Sequence, residues 1–181
     1  MDNLTPVLPE IPRFRLLGGV AAVSIRFLEG DTSAKTALEA HGLPWVQAPG
    51  EMAGKDPFVC WRTPQELLAI GLQAAPQRAL LVSLAAGQHA LALAVDVSEA
   101  LTVFELHGPQ LDRWLAHVVD ATAIPLGAGS MRRCRFADVP VLLLRMAADR
   151  LWLVAERPMT PYIEDWLEYS RSAFGTTGES H

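Results

Sequence analysis

The chain has 181 residues, of which 50% are hydrophobic and 19% are charged, and its formal net charge is −5 at pH 7. This length suits a single domain, and the composition excludes global disorder. The acidic balance argues against a nucleic-acid binder, which usually presents a basic face, and the lack of an apolar run of about 18 residues argues against a membrane-spanning helix.

The first third of the chain predicts an extended segment, then strands and one helix. Residues 1–12 carry three prolines and no hydrophobic period, so we expect an extended arm without the segments of a signal peptide. Residues 13–28 predict strand structure interrupted by a Gly-Gly pair. Residues 31–44 predict a short helix, because Asp, Thr and Ser precede it and Gly and Pro follow it. Residues 46–57 predict a loop, and strand character returns over 58–63.

The middle of the chain alternates between strand-like and helix-like hydrophobic patterns. Residues 67–70 predict a strand, and residues 75–87 predict a helix that opens near a proline and ends at a glycine. Residues 89–98 and 101–108 are β-like. A helix is predicted from Pro109 onward because apolar residues then recur at helical spacing. Its stripe consists of Leu111, Trp114, Leu115 and Val118.

The last third predicts a hairpin and a long helix. Residues 130–156 predict two strands around a turn at 147–150. Residues 160–175 predict a helix that Thr160 caps and Gly175 ends. The side chains of its inward stripe are Ile163, Trp166, Leu167, Ser170 and Phe174.

Strands and helices are mixed without a tandem βαβ rhythm, so the predicted fold class is α+β with a largely antiparallel sheet and packed helices. We expect one domain over residues 13–175, with two subdomains that meet near 88–96 as the alternative. It would follow the arm at 1–12 and precede a disordered tail at 176–181.

The sequence contains no complete pattern of catalytic groups. Asp96, Ser98 and His107 lie close in sequence, but a hydrolase of the nucleophile-elbow type needs glycines around its serine. We therefore expect a strand end at which Asp96 and Ser98 bond to nearby backbone. Cys60 and Cys134 are far apart and suit reduced thiols. The five His are scattered, so no metal site is predicted, and no segment carries a complete dinucleotide fingerprint.

Two surface features permit more than one interpretation. On a strand, Arg133 and Arg135 share a face that Arg132 opposes, and that face is either solvated or in contact with an acidic partner or a phosphate. Trp45 follows Gly-Leu-Pro in a loop region and could be an interface aromatic. The mean hydropathy of +0.20 fits either a rich core or apolar surface covered by a partner chain.

Three segments in order carry a resemblance to a known family. They are "WRTPQELLAI" at 61–70, "VDVSEALTVFELHGPQLDRWLA" at 95–116 and "LWLVAERPMTPYIEDWLEYSRSAFG" at 151–175. Together they resemble the gamma subunit of heterotetrameric sarcosine oxidase, which is itself similar to the folate-binding part of the glycine-cleavage aminomethyltransferase, the T-protein. The resemblance spans about residues 13–175, and the order and spacing of the segments carry it.

The resemblance implies a non-catalytic, cytoplasmic subunit in a complex with alpha, beta and delta subunits that demethylates sarcosine oxidatively to glycine. FAD, FMN, NAD and tetrahydrofolate would lie in those partner subunits. The gamma chain itself would hold no cofactor, no metal and no catalytic residue, and it would contact neither nucleic acid nor membrane.

One departure from the aminomethyltransferase pattern bears on this role. The two acidic positions of its folate strand fall on Val139 and Pro140 here, with Asp138 one place away. Because valine and proline supply no carboxylate, the departure favours a structural role. The alternative from another class is a folate-binding one-carbon protein in which Arg133, Arg135 and Asp138 line a pterin-glutamate pocket. A further alternative is the equivalent subunit of an oxidase or dehydrogenase for another N-methyl amino acid.

Overall fold

A computed structural model of the chain describes residues 11–85 and 91–176, in which two β-sheets pack face to face with helices on their outer faces. The strands are β1 (Arg13–Leu17), β2 (Ala21–Phe27), β3 (Met52–Gly54), β4 (Phe58–Thr63), β5 (Glu66–Leu72), β6 (Ala92–Asp96), β7 (Leu101–His107), β8 (Met131–Phe136), β9 (Val139–Ala147) and β10 (Arg150–Glu156). The helices are α1 (Ser33–Ala40), α2 (Ala74–Ala85), α3 (Leu111–Leu115) and α4 (Thr160–Thr176).

Each sheet has five strands. Sheet A has the order β1-β7-β10-β9-β8, and sheet B has the order β3-β4-β5-β2-β6. All neighbouring strands in both sheets pair antiparallel. The predicted α+β class with largely antiparallel pairing is therefore confirmed.

The central strands are apolar on both faces because each sheet is covered on both sides. In β5, Leu67 and Ala69 face the helices, whereas Leu68 and Ile70 face the other sheet. Such strands read as continuous hydrophobic runs rather than as alternating patterns.

Three hydrophobic clusters follow from this layering. The outer cluster of sheet A packs α3 and α4 against the strands, and its largest members include Phe104, Trp114, Phe136 and Ile163. The outer cluster of sheet B packs α1 and α2 and includes Ile25, Leu38, Leu67 and Leu80. The inner cluster joins the two sheets and includes Leu68, Ile70, Leu144 and Val154.

The two sides of the sandwich differ. On one side β3 and β8 are joined, since Glu51 and Ser130 form an isolated bridge and the Met131 amide donates to the Gly50 carbonyl at 3.2 Å. On the other side β1 and β6 are edge strands. Here the chain passes between the sheets twice, through the Gly18-Gly19-Val20 link and through a 3-10 turn at Ser98–Ala100. Gly19 has a φ of 67°, a left-handed conformation that glycine adopts without strain.

Two predicted elements need correction. The segment 46–57 was predicted as a loop because it is rich in Gly, Pro and charged residues, but it contains the short strand β3. The predicted hairpin over 130–156 is a three-stranded meander, because a tight turn at Ala137 and Asp138 separates β8 from β9. Ala137 has a φ of 48°, so the turn uses a residue that rarely marks this conformation in sequence.

Two helix boundaries also differ from the prediction. The helix expected from Pro109 begins only at Leu111, because Gln110 has a left-handed φ of 55°. It ends at Leu115. All four members of its predicted stripe are nevertheless buried. Helix α4 continues one residue past Gly175, to Thr176.

Several predictions extend beyond the described residues. The helix predicted over 75–87 is present as α2 up to residue 85, and residues 86–87 lie outside the described part. Of the arm predicted at 1–12 only residues 11–12 are described, and of the tail predicted at 176–181 only Thr176 is described.

Candidate functional site

A cleft of about 670 Å³ lies where the chain crosses between the sheets. Its walls come from β1 and the link to β2, from the end of β5 and the start of α2, from the turn before β7 with the first residues of β7, and from the residue after β10. The polar side chains at these places belong to Gln73, Gln77, Asp96, Ser98, Glu99, Thr102 and Arg157.

Ser98 is the centre of a hydrogen-bond network in this cleft. Its hydroxyl donates to Asp96 Oδ1 at 2.6 Å and accepts from the Ala22 amide at 2.9 Å. It also accepts from Gln77 Nε2 at 3.0 Å. The Ser98 amide donates to the same Asp96 oxygen at 2.9 Å, so the pair forms an Asx turn. The network thus ties the 3-10 turn to β2 and to α2.

Arg157 binds the other side of the same turn. Its Nε donates to the Glu99 carbonyl at 2.5 Å, and one terminal nitrogen donates to the Ser98 carbonyl at 3.1 Å. The guanidinium also lies 3.5 Å from a carboxylate oxygen of Glu99, which is almost fully exposed. An ion pair this exposed contributes little, so the two carbonyl bonds carry the contact.

The predicted bonding of Asp96 and Ser98 to nearby backbone is confirmed. The structure brings these two residues together but places His107 at the far end of β7, where it pairs with Arg13 and Arg150. The hydroxyl proton of Ser98 therefore points to a carboxylate and not to an imidazole. Nucleophilic attack by serine needs a base that removes this proton, and in the Ser–His arrangement that base is an imidazole.

The residues predicted for a folate pocket lie on β8 and in the turn after it. Arg133 lines a small cavity of about 60 Å³ between the sheets, together with Arg62 and Glu156. Arg135 instead donates from its guanidinium to the Asp138 carbonyl at 2.5 Å. Asp138 is exposed in the turn. Arg133 and Arg135 share the predicted face of β8, and Arg132 projects to the other face, beside Gly50.

The two thiols are held in their protonated form. Burial raises the pKa of Cys60 to about 12 and that of Cys134 to about 11. Reactive cysteines have the opposite shift, because a thiolate needs a nearby positive charge or a polar surrounding. Among residues 11–85 and 91–176, no three His, Cys, Asp or Glu side chains are grouped so that they could hold a metal ion. Within the same ranges, no helix has the length and apolarity needed to cross a membrane.

The charge of Arg145 is buried, which the sequence analysis did not predict. Arg145 on β9 is only 1% exposed, and it donates to the Pro125 carbonyl at 2.8 Å, to the Ala148 carbonyl at 3.1 Å and to the Asp112 carboxylate. These bonds fasten the loop before β8 and helix α3 to the sheet. An arginine after three leucines in a strand was the available signal, since a charge in such a run needs partners when buried.

The predicted roles of three tryptophans have different outcomes. Trp114 is fully buried and donates from its indole nitrogen to Ser170 Oγ at 3.0 Å, as a core residue should. Trp166 is only half-buried at the margin of the outer cluster of sheet A, so its assignment to the core was partly wrong. Trp45 packs on Phe27 with 5.1 Å between ring centroids and remains half-buried, and its role in an interface stays a prediction.

No model of a known protein family matches the sequence, and no curated protein matches it. Among solved structures, the fold is similar to a chain of the heterotetrameric sarcosine oxidase from Corynebacterium sp. U-96, determined in complex with pyrrole 2-carboxylate. That similarity has a TM-score of 0.81 and 25% sequence identity, and it covers 91% of this chain and 85% of that chain.

A second solved structure with a similar fold is the glycine cleavage system aminomethyltransferase T from Bartonella henselae. It has a TM-score of 0.59 and 10% identity, and it covers 88% of this chain but 46% of that chain. At this identity the likeness shows a shared fold alone. The chain therefore has a fold that is found in aminomethyltransferase T and in heterotetrameric sarcosine oxidase. Within that class it matches a chain of heterotetrameric sarcosine oxidase over most of both lengths, and the resemblance seen in the sequence is confirmed.

Proposed function

We propose that this chain is the gamma-type, non-catalytic subunit of a heterotetrameric flavoprotein sarcosine oxidase, which demethylates sarcosine oxidatively to glycine. The similarity to a chain of that enzyme over 91% of this chain and 85% of the other carries the proposal. Because both chains are covered almost completely, the match is to a subunit of similar size. The match to aminomethyltransferase T, in contrast, spans less than half of that larger chain.

The chemistry of the described residues supports a structural role. Ser98 of the cleft between the sheets is bound to a carboxylate and to backbone, and the guanidinium of Arg157 is bound to carbonyls. Both thiols have a raised pKa. Each polar group that sequence reasoning singled out in the cleft thus already holds elements of this chain together.

The proposal has consequences for cofactors and partners. FAD, FMN, NAD and tetrahydrofolate would bind in the larger subunits, and the alpha, beta and delta subunits would be the partners. The chain would work in the cytoplasm and would contribute shape and contact area to the complex.

The proposal is tested by purifying the tagged full-length chain from its native source. We expect large flavin-containing subunits to copurify in a fixed ratio, identified by flavin absorbance and mass spectrometry, with sarcosine oxidation and peroxide release by the complex. Recovery of the chain without any flavoprotein would contradict the proposal. Testing other N-methyl amino acids on the same complex separates sarcosine oxidase from a related oxidase or dehydrogenase.

The second candidate function is folate binding by this chain itself. It is favoured by the fold shared with aminomethyltransferase T and by the position of Arg133 in a cavity between the sheets. Arg133, Arg135 and Asp138 would then contact the pterin and the glutamate tail. Calorimetric titration of tetrahydrofolate into the pure chain tests it, with Arg133→Ala as the variant and Arg150→Ala as the control. A flat trace for the unmodified chain would remove this candidate.

A further inference from the structure

The side chain of Thr102 is buried, but its hydroxyl has no hydrogen-bond partner in the described part of the chain. Thr102 is 4% exposed and lines the cleft between the sheets. Among the described residues, only Arg171 Nε is a fully enclosed side-chain nitrogen or oxygen without a partner, so the Thr102 hydroxyl opens onto the cleft. A buried polar group that the protein leaves unpaired needs a water, an ion or a ligand as its partner.

The space beside Thr102 is large enough for a small molecule. The chain leaves sheet A at Gly18 and Gly19, which line the cleft, and a Cβ built on either glycine would meet nothing within 4 Å. The cleft volume of about 670 Å³ lies within the range of about 300–1,000 Å³ that is usual for small-ligand sites. The aliphatic side chains of Leu16 and Leu72 also line it, so the cleft offers contacts to an apolar group.

Two groups that favour a negative charge line the same cleft. Arg157 uses Nε and one terminal nitrogen to bind the carbonyls of the turn before β7, and its other terminal nitrogen has no partner among the described residues. Helix α2 begins at the cleft with Ala74, whose amide has no acceptor in the same ranges. The first-turn amides and the dipole of a helix attract anions, so this wall suits a carboxylate.

Two carboxylates also line the cleft. Asp96 accepts both hydrogen bonds from Ser98 on Oδ1, so its Oδ2 has no partner in the described part of the chain. Glu99 is almost fully exposed and lies 3.5 Å from Arg157, whereas Asp96 forms no ion pair with Arg157. A simple anion would be repelled by the two carboxylates, and a simple cation by Arg157 and the start of α2. The cleft therefore suits a molecule that carries both charges.

We propose that this cleft binds a small zwitterion, namely an amino acid with an apolar side chain. Its carboxylate accepts hydrogen bonds from Arg157 and the Ala74 amide, and its ammonium group donates to Asp96. The Thr102 hydroxyl both donates and accepts, so either end of the zwitterion supplies its missing partner. The site is independent of the proposed function, because a structural subunit can also carry a binding site.

The test compares the binding of three related compounds to the full-length chain by NMR titration. L-Leucine carries both charges, 4-methylpentanoate lacks the ammonium group and 3-methylbutylamine lacks the carboxylate, while all three share the same apolar end. The variant is Thr102→Val, which replaces the hydroxyl by a methyl group of similar size. Thr36→Val is the matched control, because Thr36 is exposed on α1. The same two variants are compared in the copurified complex, so that the partner subunits are also present.

We expect L-leucine to bind at least about tenfold more tightly than either analogue, because each analogue leaves one charged wall of the cleft unpaired. Thr102→Val should weaken the binding of L-leucine about three- to tenfold, which corresponds to one lost hydrogen bond. Without ligand, the same variant should unfold at an unchanged or higher temperature, because the hydroxyl holds no other part of the chain. Thr36→Val should change neither quantity.

Several results would overturn the zwitterion site while the proposed function stands. These are the absence of L-leucine binding, and equal binding of L-leucine by Thr102→Val and the unmodified chain. Equal affinity for 4-methylpentanoate would show that the cleft takes simple anions instead. A lowered unfolding temperature of Thr102→Val would show that the hydroxyl already has a partner within the chain. Failure to copurify any flavoprotein would remove the proposed function but not this site.

Discussion

At the scale of single residues, Ser98 shows how a small polar side chain can join elements that are distant in sequence. Its hydroxyl contacts β2 through Ala22, α2 through Gln77 and its own turn through Asp96. The Asp96 and Ser98 motif, which looked like part of a catalytic site, thus holds the turn before β7 against β2 and α2. The physical reason is that an Asx turn orients the hydroxyl, while the amide at the start of β2 needs an acceptor.

The substitution Ser98→Ala should lower the free energy of unfolding by about 1–3 kcal/mol, because it leaves the Ala22 amide and the Gln77 side chain without their acceptor. Urea unfolding followed by circular dichroism measures the change. Ser172→Ala is the control, since that hydroxyl is exposed and bonds only within its own helix. Equal stabilities of the two variants would show that Ser98 is not a joint.

At the scale of elements, Glu105 holds three strands of sheet A together. It lies in β7 opposite Arg15 of β1 and opposite Trp152 of β10. Its carboxylate accepts from Arg15 Nε at 2.9 Å and from Trp152 Nε1 at 3.4 Å. Burial raises the pKa of Glu105, but these hydrogen bonds and the charges of Arg15 and Arg150 together outweigh it, so the pKa is lowered overall.

A lowered pKa stabilises the folded state above the pKa of the unfolded chain, which is about 4.3 for glutamate, and this stability is lost as the pH falls through the folded pKa. We therefore expect Glu105→Gln to reduce stability at pH 7 and to flatten the loss of stability below about pH 4.3. Urea midpoints measured as a function of pH test this. Glu29→Gln, at an exposed position, should leave the curve parallel to that of the unmodified chain.

Strand β3 depends on a glycine whose backbone no other residue fits. Gly54 has a φ of 95°, and a Cβ there would lie 2.5 Å from the Pro57 carbonyl oxygen. Gly54→Ala should therefore cost more than about 1 kcal/mol of unfolding free energy, measured by thermal unfolding. At Gly127, where a Cβ would meet nothing within 4 Å, the same substitution should be neutral or slightly stabilising. A neutral Gly54→Ala would mean that β3 can shift.

At the scale of the whole molecule, the inner cluster packs the two sheets against each other. Sheet A contributes Leu144 and Val154 to it, and sheet B contributes Leu68 and Ile70. Neither sheet can bury its inner face alone, so the two should gain stability together. This expectation bears on the possible subdomain division near 88–96, which remains a prediction.

Leu144→Ala should lower the unfolding free energy by about 2–5 kcal/mol through the lost burial and the cavity that remains. The variant should still unfold in a single transition, with sheet A and sheet B amides losing hydrogen-exchange protection at the same denaturant concentration. Leu126→Ala is the control, because that side chain is 84% exposed. Loss of protection in sheet A alone would indicate two independent subdomains.

The sequence by itself determined most of the strands and helices, because the hydrophobic period and the Gly or Pro residues that end an element act locally. Strand 58–63 and the helical stripe of α4 followed directly from such patterns. The local patterns failed at β3, which is only three residues long, and at the turn between β8 and β9, where Ala137 takes a left-handed φ that alanine rarely adopts. They also failed at Arg145, whose partners come from α3 and from two loops.

Only the tertiary structure decided which residues meet. Ser98 and Ala22 are separated by 76 positions, and Arg145 and Asp112 by 33, so no local pattern could predict these contacts. The order of residues in the chain determines the hydrophobic period and the positions of Gly and Pro. The burial of a side chain depends instead on which element packs against it, and only the tertiary structure decides that.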